Sequence, residues 1–441
     1  MIESSCSRLY LEDSNLKVAS YAQLESLKSC LLNITVDFDI PWFILPQSWL
    51  PLSIPTITHL HFKGNIGGCS STFKCLFEAA TSLHSLSIHL MNPVVHSSVS
   101  TIINSGRKLK SLSLNFGPLR CRNLPHYISF LDAISSKYQL IRELEIQITP
   151  PAAIALHKEF QNNFDSCRKL RISLFKKIKH LQRLQKLSLT DLNFLNHGSL
   201  SNVYNNICEL KELTILKLSG VGASQVLRLS QCLPQTLEEL DLCYNGISDY
   251  HVNRIAQGLK RLRKLKSLSL CGNSIKGDSL RSLTKSLSLH RNFFSLDLSH
   301  NPISDRDNIE ALGKLKHLHE LKLKFCRVNV KELVDVVLSN NITLNSLSTT
   351  RNNLQPLGKL TDLQHLDVSK DTHWYSNFEV DSKKQYDPNM LVVMLKNLTK
   401  LESLKLCDHT DMSIHWSTDF ARAISHHLPY LRLFHALCLR A

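Results

Sequence analysis

The chain has 441 residues, with 52 Lys plus Arg against 37 Asp plus Glu and a net charge of +15. It is 43% hydrophobic and 20% charged, apolar enough to bury a core and too apolar for a disordered polyelectrolyte. No run of about 18 apolar residues occurs, so the sequence predicts no membrane-spanning helix.

In chain order, residues 1–30 are read as an N-terminal cap or a degenerate repeat; their opening has no apolar core of signal-peptide type. The stretch Ile40 to Pro55 carries four prolines and two tryptophans and predicts an extended segment. From Leu31 an LxxLxL pattern recurs. Its first apolar residue falls at Leu31, Ile57, Leu83, Leu109, Ile141, Leu184, Leu213, Leu237, Leu265, Phe293, Leu318, Leu344, Leu363, Leu401 and Leu428. One copy is inexpensive in a leucine-rich chain, whereas a long train at a near-constant period signals a repeat architecture. Two gaps are long and are read as insertions near 149–183 and 369–400. The second holds an aromatic loop with Trp374 and Tyr375, followed by a helix start at Pro388. Residues 31–433 are thus read as one repeat array and 434–441 as a tail.

The copy at Leu237 shows the physical logic. In LEELDL, Leu237, Leu240 and Leu242 point inward while Glu238, Glu239 and Asp241 point out, as side chains alternate along a strand. Asn245 follows where the chain turns, and its amide suits backbone groups that the turn leaves unpaired. Asn273, Asn301, Cys326 and Asn352 fill the same slot in later copies. After Asp249, the spacing of Val252, Ile255, Ala256 and Leu259 predicts one helix face, and Leu280, Leu283 and Leu287 repeat it after Asp278. Asp249 and Asp278 are read as the N-caps of these helices. One strand and one helix cannot close a core, so neighbouring copies must bury each other.

This 28-residue unit, LxxLxLxxN/C, resembles the ribonuclease-inhibitor-like class of leucine-rich repeat, which also forms the C-terminal arrays of NLR-type receptors. The resemblance implies an α/β solenoid, a horseshoe of about 14–15 units with parallel strands on the concave face and helices on the convex face. It implies protein binding more than catalysis. The alternatives it leaves open are the sensing arm of an NLR-like immune receptor, a pathogen effector, and a GTPase-activating regulator of the Ran GTPase-activating type.

No HExxH, GxSxG, CxxC or P-loop pattern is present, so the reading is non-enzymatic, with no cofactor and no metal. The thirteen cysteines show neither paired disulfide spacing nor zinc spacing, which fits a reducing cytoplasmic setting or a nuclear one. Cys243, Cys271 and Cys407 are read as small residues suited to strand stacking. The partner-binding candidates are the outward strand positions Lys217, Glu238, Glu239, Asp241, Lys266, Phe294, Asp297, His319, Lys322 and Lys324. Their mixed signs suit a folded protein partner. Trp374 and Tyr375 are candidate loop contacts. Basic runs at Lys176 to Lys186 and Lys260 to Lys266 are read first as a solvated rim, with nucleic acid or anionic lipid as the alternative. The sequence shows no aromatic interleaving there.

Overall fold

The computed structural model describes residues 8–11, 33–38, 58–64, 81–90, 109–116, short pieces of 128–136, 139–148, 172–190, 205–303, 306–349, 354–369, 388–406 and 418–435. Trp374, Tyr375, Asn352, Cys407 and the stretch Ile40 to Pro55 lie outside these residues. The chain forms two compact units, Met1–Leu237 and Glu238–Ala441. Each is an α/β leucine-rich-repeat solenoid.

The first unit holds strands β1 (Arg8–Leu11), β2 (Asn33–Phe38), β3 (His59–Gly64), β4 (Ser85–Leu90), β5 (Ser111–Phe116), β6 (Glu143–Ile148), β7 (Lys186–Thr190) and β8 (Ile215–Leu218). Each pairs parallel with the next. β1 falls inside the segment 1–30, where no repeat was counted. Residues 172–178 are helical and precede β7. Helices α1 (Asn205–Cys208) and α2 (Ala223–Ser230) follow β7 and β8.

The second unit holds β9 (Glu239–Asp241), β10 (Ser267–Ser269), β11 (Ser295–Asp297), β12 (Glu320–Leu323), β13 (Ser346–Thr349), β14 (His365–Asp367), β15 (Ser403–Lys405) and β16 (Leu433–His435), again parallel in sequence order. Between them run α3 (Asp249–Leu259), α4 (Leu280–Leu287), α5 (Arg306–Leu312), α6 (Val330–Ser339), a 3-10 turn (Gln355–Lys359), α7 (Pro388–Leu395) and α8 (Thr418–His427). The copies from Leu31 to Leu401 each supply one strand, β2 to β15, in the expected register; the copy read at Leu428 is displaced by three residues, because β16 sets Phe434, not Leu431, opposite Leu404.

The strand register explains the period. Leu240, Leu268, Leu296, Leu321, Leu347, Leu366 and Leu404 stand opposite one another in successive strands, and all are buried. Complete burial of a leucine is worth about 1.5–3 kcal/mol, so each layer contributes stability only once its neighbour is in place. The helices close the other side. Val252, Ile255, Ala256 and Leu259 of α3 are buried, as are Leu280, Leu283 and Leu287 of α4.

A second set of bonds ties coil to coil. Asn273 Oδ1 accepts from the Asn245 and Ile247 amides, both at 3.0 Å, and its Nδ2 donates to the Leu242, Leu270 and Cys271 carbonyls. Asn301 accepts from the Ile275 amide and donates to the Leu270, Leu298 and Ser299 carbonyls. Cys326 donates its Sγ to the Leu298 carbonyl at 3.2 Å, and burial pushes this thiol up to about 12.

The helix caps differ from the sequence reading. Ser248 is the N-cap of α3 and Ser279 the N-cap of α4, not Asp249 and Asp278. Asp249 is the first helical residue, and its carboxylate reaches across to the next coil. It accepts from the Lys276, Gly277 and Ser279 amides and from Ser279 Oγ at 2.7 Å. Burial would raise its pKa, but the Ser279 hydroxyl and these three amides outweigh that and hold it below the usual carboxylate range. An acid one residue past the cap can serve its neighbour's loop, a role that spacing within one repeat does not reveal.

The cysteine reading also needs correction. Cys208 and Cys232 are joined by a disulfide, with Cα atoms 5.6 Å apart. They stand 24 residues apart, one repeat length, so the stacking of neighbouring coils brings them together where no CxxC spacing would.

Replacement of Asn273 by Ala strands two buried amides and several carbonyls. An unsatisfied buried group costs about 1–3 kcal/mol. The expected result is a loss of about 2–4 kcal/mol in urea unfolding of the full chain. A loss under about 0.5 kcal/mol would show that these groups find other partners.

Candidate functional site

In the second unit, the strand side chains opposite the leucines are half-buried or exposed, except for the buried Ser295 and Ser348. They form three register-matched rows. Glu238, Lys266, Phe294 and His319 stand just before the strands, linked by amides of one coil donating to carbonyls of the previous one. Glu239, Ser267, Ser295, Glu320, Ser346, His365 and Ser403 form the next row. Asp241, Ser269, Asp297, Lys322, Ser348, Asp367 and Lys405 form the third.

Charge on this face is tied down in pairs. Lys266 Nζ meets Glu238 Oε2 at 2.6 Å, Lys322 Nζ meets Glu320 Oε1 at 2.9 Å, and Lys324 Nζ meets Asp367 Oδ2 at 2.9 Å. Ser295 Oγ donates to Glu320 Oε2 at 2.6 Å, and Lys324 Nζ also donates to Ser369 Oγ. Burial would raise the Glu320 pKa, but the Ser295 and Lys322 bonds hold it below the ordinary range. Burial works against the Lys322 charge too, yet the Glu320 carboxylate keeps its pKa above the usual value. Asp367 is held down against burial by Lys324 and Ser369. The most exposed of these pairs, Lys266–Glu238, is worth about 0–1 kcal/mol in stability. The larger effect of the pairs is to fix where long side chains sit.

The structure thus brings together Glu238, Glu239, Asp241, Lys266, Phe294, Asp297, His319, Lys322 and Lys324 on one unit. Asp241 Oδ1 and Asp297 Oδ1 each accept from the amide two residues on, that of Cys243 and that of Ser299. Lys217 lies on β8 of the first unit, where its neighbour in register is Ser188. Also on that unit, Ser111 and Ser113 donate to Glu143 and Glu145.

The residues before the ladder slot escaped the sequence reading. Tyr244, Gly272, His300 and Phe325 each precede a ladder residue, and all four have positive φ, at 55°, 65°, 56° and 53°. A β-carbon on Gly272 would run into the Tyr244 ring, which lies over it. The rings of His300 and Phe325 stack, with centroids 4.5 Å apart and planes at 19°. Burial, with the Cys271, Cys243 and Asp297 charges after it, pushes the Tyr244 hydroxyl above its ordinary pKa. The legible signal was an aromatic residue or glycine directly before the asparagine or cysteine of four successive copies.

Cys243 and Cys271 are free thiols on this face, and Cys243 Sγ lies 3.0 Å from Ser269 Oγ. The Cys271 hydrogen bond and then burial drive the Cys243 thiol above its usual pKa, opposite to what a nucleophile needs. Among the described residues, no group of three or more His, Cys, Asp or Glu is placed to hold a metal ion. A hollow of about 560 Å³ beside α6 is lined by Glu310, Glu332, Asp335 and Lys331 among others, without a histidine, cysteine or aromatic ring.

No family model matches the chain. No curated protein matches it. Solved structures give low-level likenesses. An internalin from Listeria monocytogenes is 16% identical, covers 88% of this chain and 91% of its own, and gives a TM-score of 0.37. A leucine-rich-repeat protein of Leptospira interrogans is 16% identical, covers 96% and 94%, and gives 0.35. The TLR13–ssRNA13 complex is 15% identical, covers 97% and 67%, and gives 0.40. The leucine-rich-repeat fold of this chain stands on its own strands and burial. Among the described residues, no helix is long and apolar enough to cross a membrane.

His290, in the turn before β11, is only 3% exposed. Burial and then the Arg263 charge hold its pKa below the ordinary value, and the Leu259 carbonyl opposes them only in part. The folded chain therefore keeps this ring neutral, while the unfolded chain protonates it near pH 6.5. Its contribution to stability is fully present above that pH and is lost as pH falls toward the lower folded value. A His290→Leu variant should flatten the urea-stability profile between about pH 7.5 and pH 5 relative to wild type, by at most about 1.4 kcal/mol per pH unit. Parallel profiles for the two proteins would show that His290 does not drive the dependence.

Proposed function

We propose that this protein is a non-enzymatic binding scaffold that captures a protein partner on the exposed sheet face of its second unit. The observation that carries this reading is the field of three fixed ion pairs spread over β9 to β14 with Asp241 and Asp297 between them. Side chains already held in place lose little freedom when a partner docks, and mixed charges select partners by matching signs. The 28-residue strand–helix units around α3 and α4 support a ribonuclease-inhibitor-like repeat class. Free thiols at Cys243, Cys271 and Cys326 support a reducing, cytoplasmic setting, and the Cys208–Cys232 bond weighs against it.

The test compares wild type with Asp241→Lys, Asp297→Lys and Lys322→Glu combined. Asp241 and Asp297 end β9 and β11 and Lys322 lies within β12, all half-buried on the sheet face, so the core leucines stay untouched. Both proteins are immobilised, the lysate of the source cells is passed over them, and captured proteins are identified by mass spectrometry. The partner should be lost from the variant by a hundredfold or more, about 3 kcal/mol in coupling. Equal capture by both proteins would remove the sheet face from the reading.

A further inference from the structure

A different surface of the second unit carries an independent signal. The loops that lead from α3, α4 and α5 into β10, β11 and β12 repeat one turn. Leu265 donates its amide to Leu262, Phe293 to His290, and Leu318 to Leu315. The buried residues Leu262, His290 and Leu315 anchor the three turns, and the position after each anchor is exposed. That position is Arg263, Arg291 and Lys316 in succession. Lys260, Arg261, Lys264 and Lys314 add further positive charge. Residues 258–264, 288–294 and 313–319 contain no Asp or Glu. The next loop, 340–345, has no charged residue, so the cationic row ends there.

The attraction of basic residues to helix C-termini explains little of this. Neither α3 nor α5 has a basic residue in its last turn, and the charge lies beyond the helices. Within the row stand two exposed apolar side chains, Leu289 at 50% and Phe294 at 40%, flanking Arg291. Phe294 lies between Lys266 and His319 in the row before the strands. An exposed ring amid a cationic track is the arrangement that the run of basic residues alone did not show. Neighbouring strand starts lie about 4.8 Å apart, so the row presents positive charge at short, regular intervals. A linear polyanion with flat bases meets both features, phosphates on the cations and a base on the ring.

We propose that the loop rim from Lys260 to His319 binds single-stranded nucleic acid, with Arg263, Arg291 and Lys316 on the phosphates and Phe294 stacking on a base. Lys316 Nζ already bonds the Asn340 carbonyl and side chain, which holds it at the end of the row.

The experiment titrates the full chain into fluorescein-labelled oligo-dT and oligo-rU of about 15 nucleotides and follows anisotropy from about 50 to 300 mM salt. Wild type should bind, with a slope of about −0.7 in log K against log salt for each phosphate contacted. The variant Arg263→Glu, Arg291→Glu and Lys316→Glu should weaken binding at least a hundredfold and flatten the slope. Phe294→Ala should weaken it about tenfold with the slope unchanged, the signature of lost stacking. Circular dichroism melts of each variant should match wild type, since all four positions are exposed. The Asp241→Lys variant should still bind the oligonucleotide, which separates this site from partner capture on the sheet face. The proposal is overturned if folded wild type fails to bind at about 50 mM salt. It also fails if the charge reversals leave binding unchanged, or if polyglutamate competes equally and Phe294→Ala is silent. Binding of phosphatidylserine vesicles in place of oligonucleotide, through the same residues, would overturn it in favour of a membrane.

Discussion

Each coil of this chain is half of a core, and everything else follows from that. A single strand and helix present Leu240 or Leu268 to one side and leave it bare until the next coil arrives. The sheet is therefore parallel and ordered as the chain is, because only the following copy is near enough to cover the exposed layer. The same requirement places the Asn273 amide between two coils, where it bonds Asn245 and Ile247 of one and Leu270 and Cys271 of the other. Leucine layers and asparagine bonds are two descriptions of one interface. They explain why Asp249 also serves a neighbour's loop in preference to its own helix end.

Stacking also sorts the surface. A residue opposite a core leucine has neighbours in its own strand and in nearby strands, so several of its polar partners come from about one repeat away. Lys266 and Glu238, or Ser295 and Glu320, are such pairs. A residue in the loops before the strands has more freedom and more water. Glu238, Glu239, Asp241, Asp297, Glu320 and Asp367 lie on the strand face, whereas the loops before β10 to β12 hold no acid. Two surfaces of different character, one mixed in charge and one basic, can thus coexist on one unit, and Phe294 stands where they meet.

The fold was legible because periodicity is a property of spacing alone. The copies of LxxLxL from Leu31 to Leu401 located β2 to β15, the last copy fell three residues short of β16, and Val252 to Leu259 showed the buried stripe of α3. What spacing could not show was anything that depends on the neighbouring coil. The Cys208–Cys232 bond joins residues a repeat apart, and no local pattern marks it. Asp249 looked like a cap because an acid preceded a helical stripe, yet Ser248 holds that place. β1 lies in the segment read as a cap or a degenerate repeat, where Arg8–Leu11 offers only Leu9 and Leu11 as alternating apolar residues, a short signal beside the longer copies. On the candidate faces, residue identity was readable but pairing was not, since Lys324 finds Asp367 two strands away.

The row Tyr244, Gly272, His300, Phe325 shows how far a local rule can bend when the coils around it are fixed. The slot requires positive φ, where glycine is the inexpensive residue and any other costs roughly 1–2 kcal/mol. Three of the four coils carry a large ring there instead. The His300–Phe325 stack returns about 0.5–1.5 kcal/mol, and the Tyr244 ring gains cover over Gly272. Two strained residues share that one stack, so the cost exceeds the gain and stability alone does not select aromatic residues at these positions. The glycine at 272 is then intelligible from its neighbour, since it is the one coil of the four where the space for a side chain is already filled by the Tyr244 ring. Backbone strain at this edge is set by the turn that every coil must make before its buried asparagine or cysteine. At Gly272 the residue that bears the strain fits what stands in the preceding coil, a dependence on the neighbouring coil like the one that orders the leucines beneath.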